Sequence, residues 1–208
     1  MKAPTLVFLV RHALTRRTGA VLQGRAPGVH LSEDGRRQAD GVAARLAPLP
    51  KIAAVYASPL ERARETAAAI ARVRGASVRI ERELTELDVG AWTGRSLKRL
   101  SRKPEWRAVQ RHPSGFRFPG GESFVEMQTR IVGALARVVE RHPASVVVVV
   151  SHADPIKAVV AHAIGAHLDL FQRIAIAPAS ITAIRYRSEG PLVLTLNSMD
   201  GDLAGLVS

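Results

Sequence analysis

The chain has 208 residues, 47 % of them hydrophobic and 23 % charged, which excludes a disordered protein and suits a single domain over residues 1–208. Cysteine is absent, so disulfide scaffolds, Cys-ligated metal sites and thiol nucleophiles are excluded. Thirty Lys and Arg against 18 Asp and Glu give a formal charge of +12, a surface that attracts anions without choosing among phosphorylated metabolites, nucleic acid or an acidic partner.

Met1-Lys2-Ala3-Pro4-Thr5 leads into a short apolar run that ends at Arg11 with no small-residue cleavage site. It does not read as a signal peptide, and a cytoplasmic protein is expected. No apolar run approaches the roughly 20 residues of a membrane span, so no membrane association is expected. Residues 6–10, continuously apolar, read as a buried central strand with Arg11-His12 at its C-terminal end. Residues 15–30 lack periodicity and carry Gly19, Gly24, Pro27 and Gly28, so they form a loop. Ser32 caps a helix whose first turn holds Glu33 and Asp34. Residues 53–57 form a second strand. Ser58-Pro59-Leu60-Glu61 then reads as an N-cap, a first-turn proline and a capping-box acid, opening a helix over about 59–73.

A third strand is predicted at 77–80, followed by an acid-rich loop over 81–94. Residues 95–117 hold eight Lys or Arg against Glu105 alone, and Pro104 should interrupt any helix there. This stretch reads first as a solvated face and second as a cap that attracts substrate. Ser123 and Glu126 form a capping box opening a helix to about 141, with Phe124, Met127, Ile131, Leu135 and Val138 on one face. Residues 146–150 are a strand apolar throughout, ending at Ser151-His152. Asp154-Pro155 starts a helix that Gly165 can stop. Residues 181–186 and 192–197 read as a hairpin joined through Ser188-Glu189-Gly190. The alternation of strands and helices indicates an α/β fold.

Three of these strands end in groups able to hold an anion: Arg11-His12, Ser58 with Arg62 just beyond, and Ser151-His152. In open α/β sheets ligands bind outside the carboxyl ends of strands. If the three strands are parallel neighbours, two arginines form a clamp suited to phosphate and two imidazoles lie between them. A neutral imidazole there can attack phosphorus. Glu83, Glu86 and Asp88 are all candidate acids on these grounds. His162 and His167 lack an obvious third ligand, and no metal site is expected.

Leu9-Val10-Arg11-His12-Ala13-Leu14-Thr15 resembles the Arg-His-Gly motif of the histidine phosphatase superfamily, branch one, the phosphoglycerate-mutase-like group. So do Gln23-Gly24, Leu31-Ser32 with Gly35 and Gln38-Ala39, and Ser58-Pro59-Leu60-Glu61-Arg62-Ala63 with Thr66. Leu84-Thr85-Glu86 with Gly90-Ala91-Trp92-Thr93-Gly94, Gly120-Gly121-Glu122-Ser123 and Val150-Ser151-His152 complete the pattern in order over about 6–160. The resemblance implies a three-layer α/β/α sandwich with a mostly parallel sheet. It also implies that His12 becomes a phosphohistidine, that Arg11, Arg62 and His152 hold the phosphoryl group, and that Glu86 protonates the leaving oxygen. Thr18, Gln23 and Gly24 fall at phosphate-contact positions. It implies neither metal nor diffusible cofactor, and a small phosphorylated substrate as the partner.

The chain departs from the pattern at Ala13, where Gly is usual, at Leu14, where Glu or Gln is common, and at Ala153-Asp154-Pro155, where a Gly-rich stretch is usual. The reading is a metal-independent phosphatase of monoesters, with α-ribazole phosphatase a narrower form of it. The alternatives are a phosphoglycerate-type mutase, disfavoured by the modest segment after the acid-bearing loop, and a non-enzymatic anion- or nucleic-acid-binding protein. The chain has no RNA-binding motif or basic-aromatic alternation to support nucleic acid as a partner. Oligomeric state is not encoded in any of these features.

Overall fold

The computed structural model describes residues 4–207; Met1, Lys2 and Ala3, on which part of the N-terminal reading rests, lie outside the described residues. In chain order the main elements are β1 (Thr5–Arg11), α1 (Glu33–Leu46), β2 (Ala54–Ala57), α2 (Glu61–Arg74), β3 (Val78–Ile80), α3 (Leu97–Leu100) and α4 (Pro104–Arg111). They continue with α5 (Phe124–Arg141), β4 (Val146–Ser151), α6 (Ala153–Ala163), β5 (Ile181–Arg187) and β6 (Gly190–Ser198). The strands form one sheet in the order β3-β2-β4-β1-β5-β6. β4 lies between β1 and β2 and is parallel to both, with Arg11 opposite Ser151 and Ala57 opposite Val150. β3 is parallel to β2, whereas β5 and β6 are antiparallel additions.

Strand side chains alternate between faces, and both faces of β1 and β4 are covered. Val7, Leu9, Val147 and Val149 meet Met127, Ile131 and Leu135 of α5 and Ile156 and Val159 of α6. Leu6, Phe8, Val10, Val148 and Val150 meet Val42 and Leu46 of α1 and Ala67 and Ile70 of α2. This is the three-layer α/β/α sandwich, and it explains why 6–10 and 146–150 are apolar without alternation. No helix among the described residues is long and apolar enough to cross a membrane.

Ser32 caps α1 by accepting from the Gly35 N–H, and Ser123 with Glu126 forms a complete capping box on α5. Pro104 separates α3 from α4 by standing at the start of α4, where its missing N–H costs nothing. The expected cap on α2 is not made. That helix begins at Glu61 with Leu60 as its cap residue and no side-chain cap bond. Ser58 Oγ accepts from the Leu60 N–H and bonds His152 instead. Glu61 accepts from the Gly28 N–H, which ties the 15–30 loop down.

The α1 N-terminus rests directly on the chain after β1. The Leu14 carbonyl accepts from both the N–H and the hydroxyl of Ser32. A Cβ on Gly35 would fall 1.9 Å from that oxygen, while a Cβ on Gly41 in the same helix meets nothing within 4 Å. The two glycines therefore respond oppositely to alanine. Gly35→Ala is expected to destabilise by about 1–3 kcal/mol through overpacking, and Gly41→Ala to stabilise by roughly 0.5–1 kcal/mol. Urea unfolding of both variants checks the signs.

Candidate active site

The parallel ends of β1, β2 and β4 bring Arg11-His12, Ser58 and Ser151-His152 together, and the first turn of α2 adds Arg62. A cavity of about 150 Å³ opens there, bordered by Arg11, His12, Gln23, Arg62, Glu86 and Asp154. A larger cavity of about 760 Å³ lies at the opposite end of β1, beside Thr5 and Tyr186, and includes none of the predicted site residues.

His12 is 4 % exposed, and its Nδ1 lies 2.8 Å from the carbonyl oxygen of Ala13. A carbonyl only accepts, so Nδ1 carries the proton and Nε2 keeps its lone pair. Burial, then Arg62 and Arg11, push the His12 pKa well below its usual value, so the ring is neutral at pH 7. Ala13 is itself tied down, its N–H donating to Thr66 Oγ1, whose hydroxyl donates to the Arg62 carbonyl. The His152 ring stands 5.1 Å away, edge-on, and is likewise held neutral, mainly by burial and Arg62. Its Nε2 is 2.8 Å from Ser58 Oγ. Among the described residues Nε2 is the one acceptor for the Ser58 hydroxyl proton, so Ser58 donates to Nε2, which leaves the proton of His152 on Nδ1.

Several donors around this cavity have no partner. Arg62 is fully buried, and only its Nη2 finds an acceptor, the Gly24 carbonyl at 2.8 Å. Its Nε and Nη1 are buried and unsatisfied, as are Arg11 Nε and His152 Nδ1. Arg11 Nη1 donates to the Ile176 carbonyl. Buried polar groups are almost always paired, so a cluster of orphan donors marks where an acceptor-rich ligand belongs. A tetrahedral oxyanion such as phosphate fits that set.

The remaining predicted contacts divide. Gln23 donates through Nε2 to Thr15 Oγ1 and leaves a buried, unpartnered Oε1. Gly24 borders the cavity and acts on the donor set by fixing Arg62. Thr18 accepts the Thr15 N–H and bonds the Thr15 hydroxyl. Because Thr15 Oγ1 already accepts from Gln23 and Arg17, its own proton goes to Thr18, which frees the Thr18 proton to face the cavity.

Of the three candidate acids, only Glu86 reaches the cavity together with Asp154. Glu83 pairs with Arg137, and Asp88 lies near Arg25 and accepts from the Gly90 N–H. The Glu86 side chain is 16 % exposed, with Oε2 3.9 Å from His152 Nδ1. Burial and the Asp154 carboxylate push its pKa up to about 7, against the opposing pull of Arg62, the Leu87 N–H and Arg11.

The chain matches the sequence profile of the histidine phosphatase superfamily (branch 1) over residues 7–199. It belongs to that superfamily. It is 33 % identical to phosphoserine phosphatase 1 of Hydrogenobacter thermophilus, covering 92 % of this chain and 91 % of that one. It is 35 % identical to a probable phosphoglycerate mutase of Cronobacter sakazakii, covering 87 % and 85 %. The solved structure of a mycobacterial glucosyl-3-phosphoglycerate phosphatase superposes with a TM-score of 0.84 at 25 % identity, covering 94 % and 99 %. The chain spans about half the length (55 %) of other curated relatives, among them a bifunctional protein of Mycobacterium tuberculosis 31 % identical to it. These likenesses support a phosphatase or mutase enzyme and bear out the phosphoglycerate mutase-like fold.

The loop that carries Glu86 is held still by residues that carry no motif of their own. Arg130 of α5 donates to the carbonyls of Glu83, Thr85 and Glu86 at 2.7 to 3.0 Å and to both Glu122 oxygens. Arg25 donates to the same Glu86 carbonyl and pairs with Glu122. Arg130 and Glu122 are 14 % and 17 % exposed. Sequence reading also missed the role of Ser58, whose Ser-Pro context pointed to a cap. Among the described residues no group of three or more His, Asp or Glu side chains is arranged to hold a metal ion.

Two expectations follow. A carboxyl that titrates near 7 is protonated below that pH, so any activity needing it as acid falls as pH rises through about 7. Asp154→Asn removes a charge that raises Glu86, so the alkaline limb of the pH–kcat profile should move to lower pH. Arg130→Ala leaves Glu122 buried beside Arg25 alone and frees the acid loop. Breaking one partner of a buried pair costs on the order of 3–5 kcal/mol, which a thermal unfolding scan measures.

Proposed function

We propose that the protein hydrolyses phosphate monoesters through a phosphohistidine on His12, without a metal ion. The observation that carries this reading is the neutral His12, with its Nε2 lone pair free, set among buried donors that lack acceptors. The phosphate oxygens take those donors: Arg62 Nε and Nη1, Arg11 Nε and His152 Nδ1, with the Thr18 hydroxyl at the rim, while Gln23 acts by holding Thr15. His12 Nε2 attacks phosphorus along the line of the ester bond, and the P–O bond to the leaving group breaks. The protonated Glu86 gives its proton to the leaving oxygen, so the product leaves as a neutral alcohol. The guanidiniums offset the charge on the equatorial oxygens. In the second half, the Glu86 carboxylate takes a proton from water, the oxygen attacks phosphorus, and the P–N bond breaks. His12 regains its lone pair and inorganic phosphate departs. The net change is one ester and one water to one alcohol and one phosphate.

A phosphomutase would share every step except the last, returning the phosphoryl group to an acceptor. The mutase-like relative favours that alternative and the phosphatase neighbours favour hydrolysis, so phosphate release decides. We expect wild type to release phosphate from alkyl monoesters with chelator present. His12→Ala should lose at least about 10³-fold in kcat. Glu86→Gln should lose about 10²–10⁴-fold on alkyl phosphates and much less on p-nitrophenyl phosphate, whose leaving group needs no proton. Rapid acid-free quenching should trap a phosphohistidine in wild type and not in His12→Ala. Transfer to an added phosphorylated acceptor with no phosphate released would establish the mutase instead.

A further inference from the structure

Beyond the phosphate pocket the cleft widens into a second chamber of about 460 Å³. The two share Arg11, Leu22, Leu97, Ala153 and Asp154. A volume of about 150 Å³ takes a phosphoryl group and little more, whereas about 460 Å³ lies in the range of small-molecule sites. The chamber sits between the inner side of α4, the first turns of α6 and the segment that leads to β5. Its wall is mostly apolar, with Trp106, Val109, Phe118, Phe124, Ile174 and Ile176. Arg11 stands at the boundary with the phosphate pocket, and the chamber's own polar groups come from Gln110, Asp154, Lys157 and Gln172.

The two charged groups among these answer each other. Lys157 Nζ is 3.5 Å from Asp154 Oδ1, one turn earlier on α6, and the side chains are 16 % and 26 % exposed. Lys157 also donates to Gln172 Oε1 at 3.0 Å and lies 5.6 Å from the Phe171 ring centre. The cation is therefore engaged on three sides, and Asp154 stands at the junction of the two spaces. The many cations of residues 95–117 do not change this balance. Arg102, Lys103, Arg107 and Arg111 are exposed and border a separate outer depression on the far side of α4. They can raise the local concentration of any phosphate ester, but they do not line the chamber.

We propose that this chamber receives the organic part of the substrate, and that the Asp154–Lys157 pair makes it selective for phosphate monoesters whose organic part is uncharged and largely apolar. The proposal rests on the phosphatase reading and names its substrate class. The leaving oxygen must lie beside Glu86, which shares its pocket with Asp154, so the first carbons of the organic part pass that carboxylate. A carboxylate or second phosphate on those carbons meets a like charge in a poorly solvated space. Of the two cations on the chamber wall, Lys157 is engaged by Asp154 and Gln172, and Arg11 by the Ile176 carbonyl and, on this reading, by the phosphoryl group. An apolar group meets the aromatic wall and displaces water from it.

The test compares substrates that differ in one charge. Glycerol 3-phosphate and 3-phosphoglycerate differ by a hydroxymethyl group against a carboxylate, and benzyl phosphate supplies an apolar alkyl ester. All three are alkyl phosphates that call on Glu86 alike, so ratios of kcat/KM cancel changes in its acidity. Wild type should favour benzyl phosphate over glycerol 3-phosphate, and glycerol 3-phosphate over 3-phosphoglycerate by about 10-fold or more, the scale of a like-charge contact near a protein surface. Asp154→Asn, which leaves Lys157 without its partner, should raise the 3-phosphoglycerate to glycerol 3-phosphate ratio by about 10-fold. The double variant Asp154→Asn with Lys157→Met should keep the part of that gain that comes from removing the Asp154 charge and lose the part supplied by the freed Lys157. Circular dichroism confirms that each variant is folded. A wild type that prefers 3-phosphoglycerate, or an Asp154→Asn ratio unchanged within about 2-fold, overturns the proposal and leaves the phosphatase reading intact. No phosphate release by wild type from any of the three overturns both.

Discussion

Arg62 is completely buried, yet only one of its three guanidinium nitrogens has a protein acceptor. Burying a cation without satisfying it is costly, and the surrounding architecture is arranged around that cost. The Gly24 carbonyl holds one edge of the guanidinium, while Glu86 and Glu61 favour its charge from a distance. Gly24 has a left-handed φ of +50°, and a Cβ there would strike Val89. The loop over 15–30 can therefore present that carbonyl only through glycine. Burial first and Arg62 next keep both histidines neutral. The same buried charge thus helps create the anion site and adds to the burial that sets the protonation of the rings within it.

Glu86 supplies the opposite behaviour within a few ångströms. Arg11 and Arg62 pull its pKa down, but burial and Asp154 prevail and hold it near 7. Its position depends on backbone rather than side-chain contacts. Arg130 and Arg25 grip the carbonyls of residues 83–86, and Glu122 joins the two arginines. The Gly120-Gly121 turn belongs to this brace, because a Cβ on Gly121 would fall 2.3 Å from the Asp88 carbonyl. An acid carried on a loop is in this way fixed nearly as firmly as the residues at the strand ends.

The strand ends were readable because a buried parallel strand leaves a plain signature: continuous apolar residues followed at once by polar ones. Arg11-His12 and Ser151-His152 carry that signature, and their adjacency follows from the parallel pairing of β1 and β4. The capping boxes at Ser32 and Ser123 were equally legible, being local in sequence. Ser58 misled for the same reason. Its local context favours a cap, and its hydroxyl is diverted by His152, a residue 94 positions away. The choice of Glu86 over Glu83 and Asp88 needed either resemblance or coordinates, since only the fold decides which acid faces the cavity. Arg130 left no trace, for a basic residue on an amphipathic helix looks the same whether it meets water or braces a loop.

On the proposed hydrolytic reading, the unsatisfied donors would also tie the protein to its own product. Inorganic phosphate offers the same oxygens as the ester it came from, so the set that recruits substrate retains phosphate after the reaction. Phosphate held by those donors would bind the folded chain and not the unfolded one, and would stabilise the protein in proportion to the logarithm of its concentration once that exceeds Kd. The consequence on that reading is a coupling of durability and throughput: a phosphate-rich solution would protect the fold and slow turnover, and a phosphate-poor one would do the reverse.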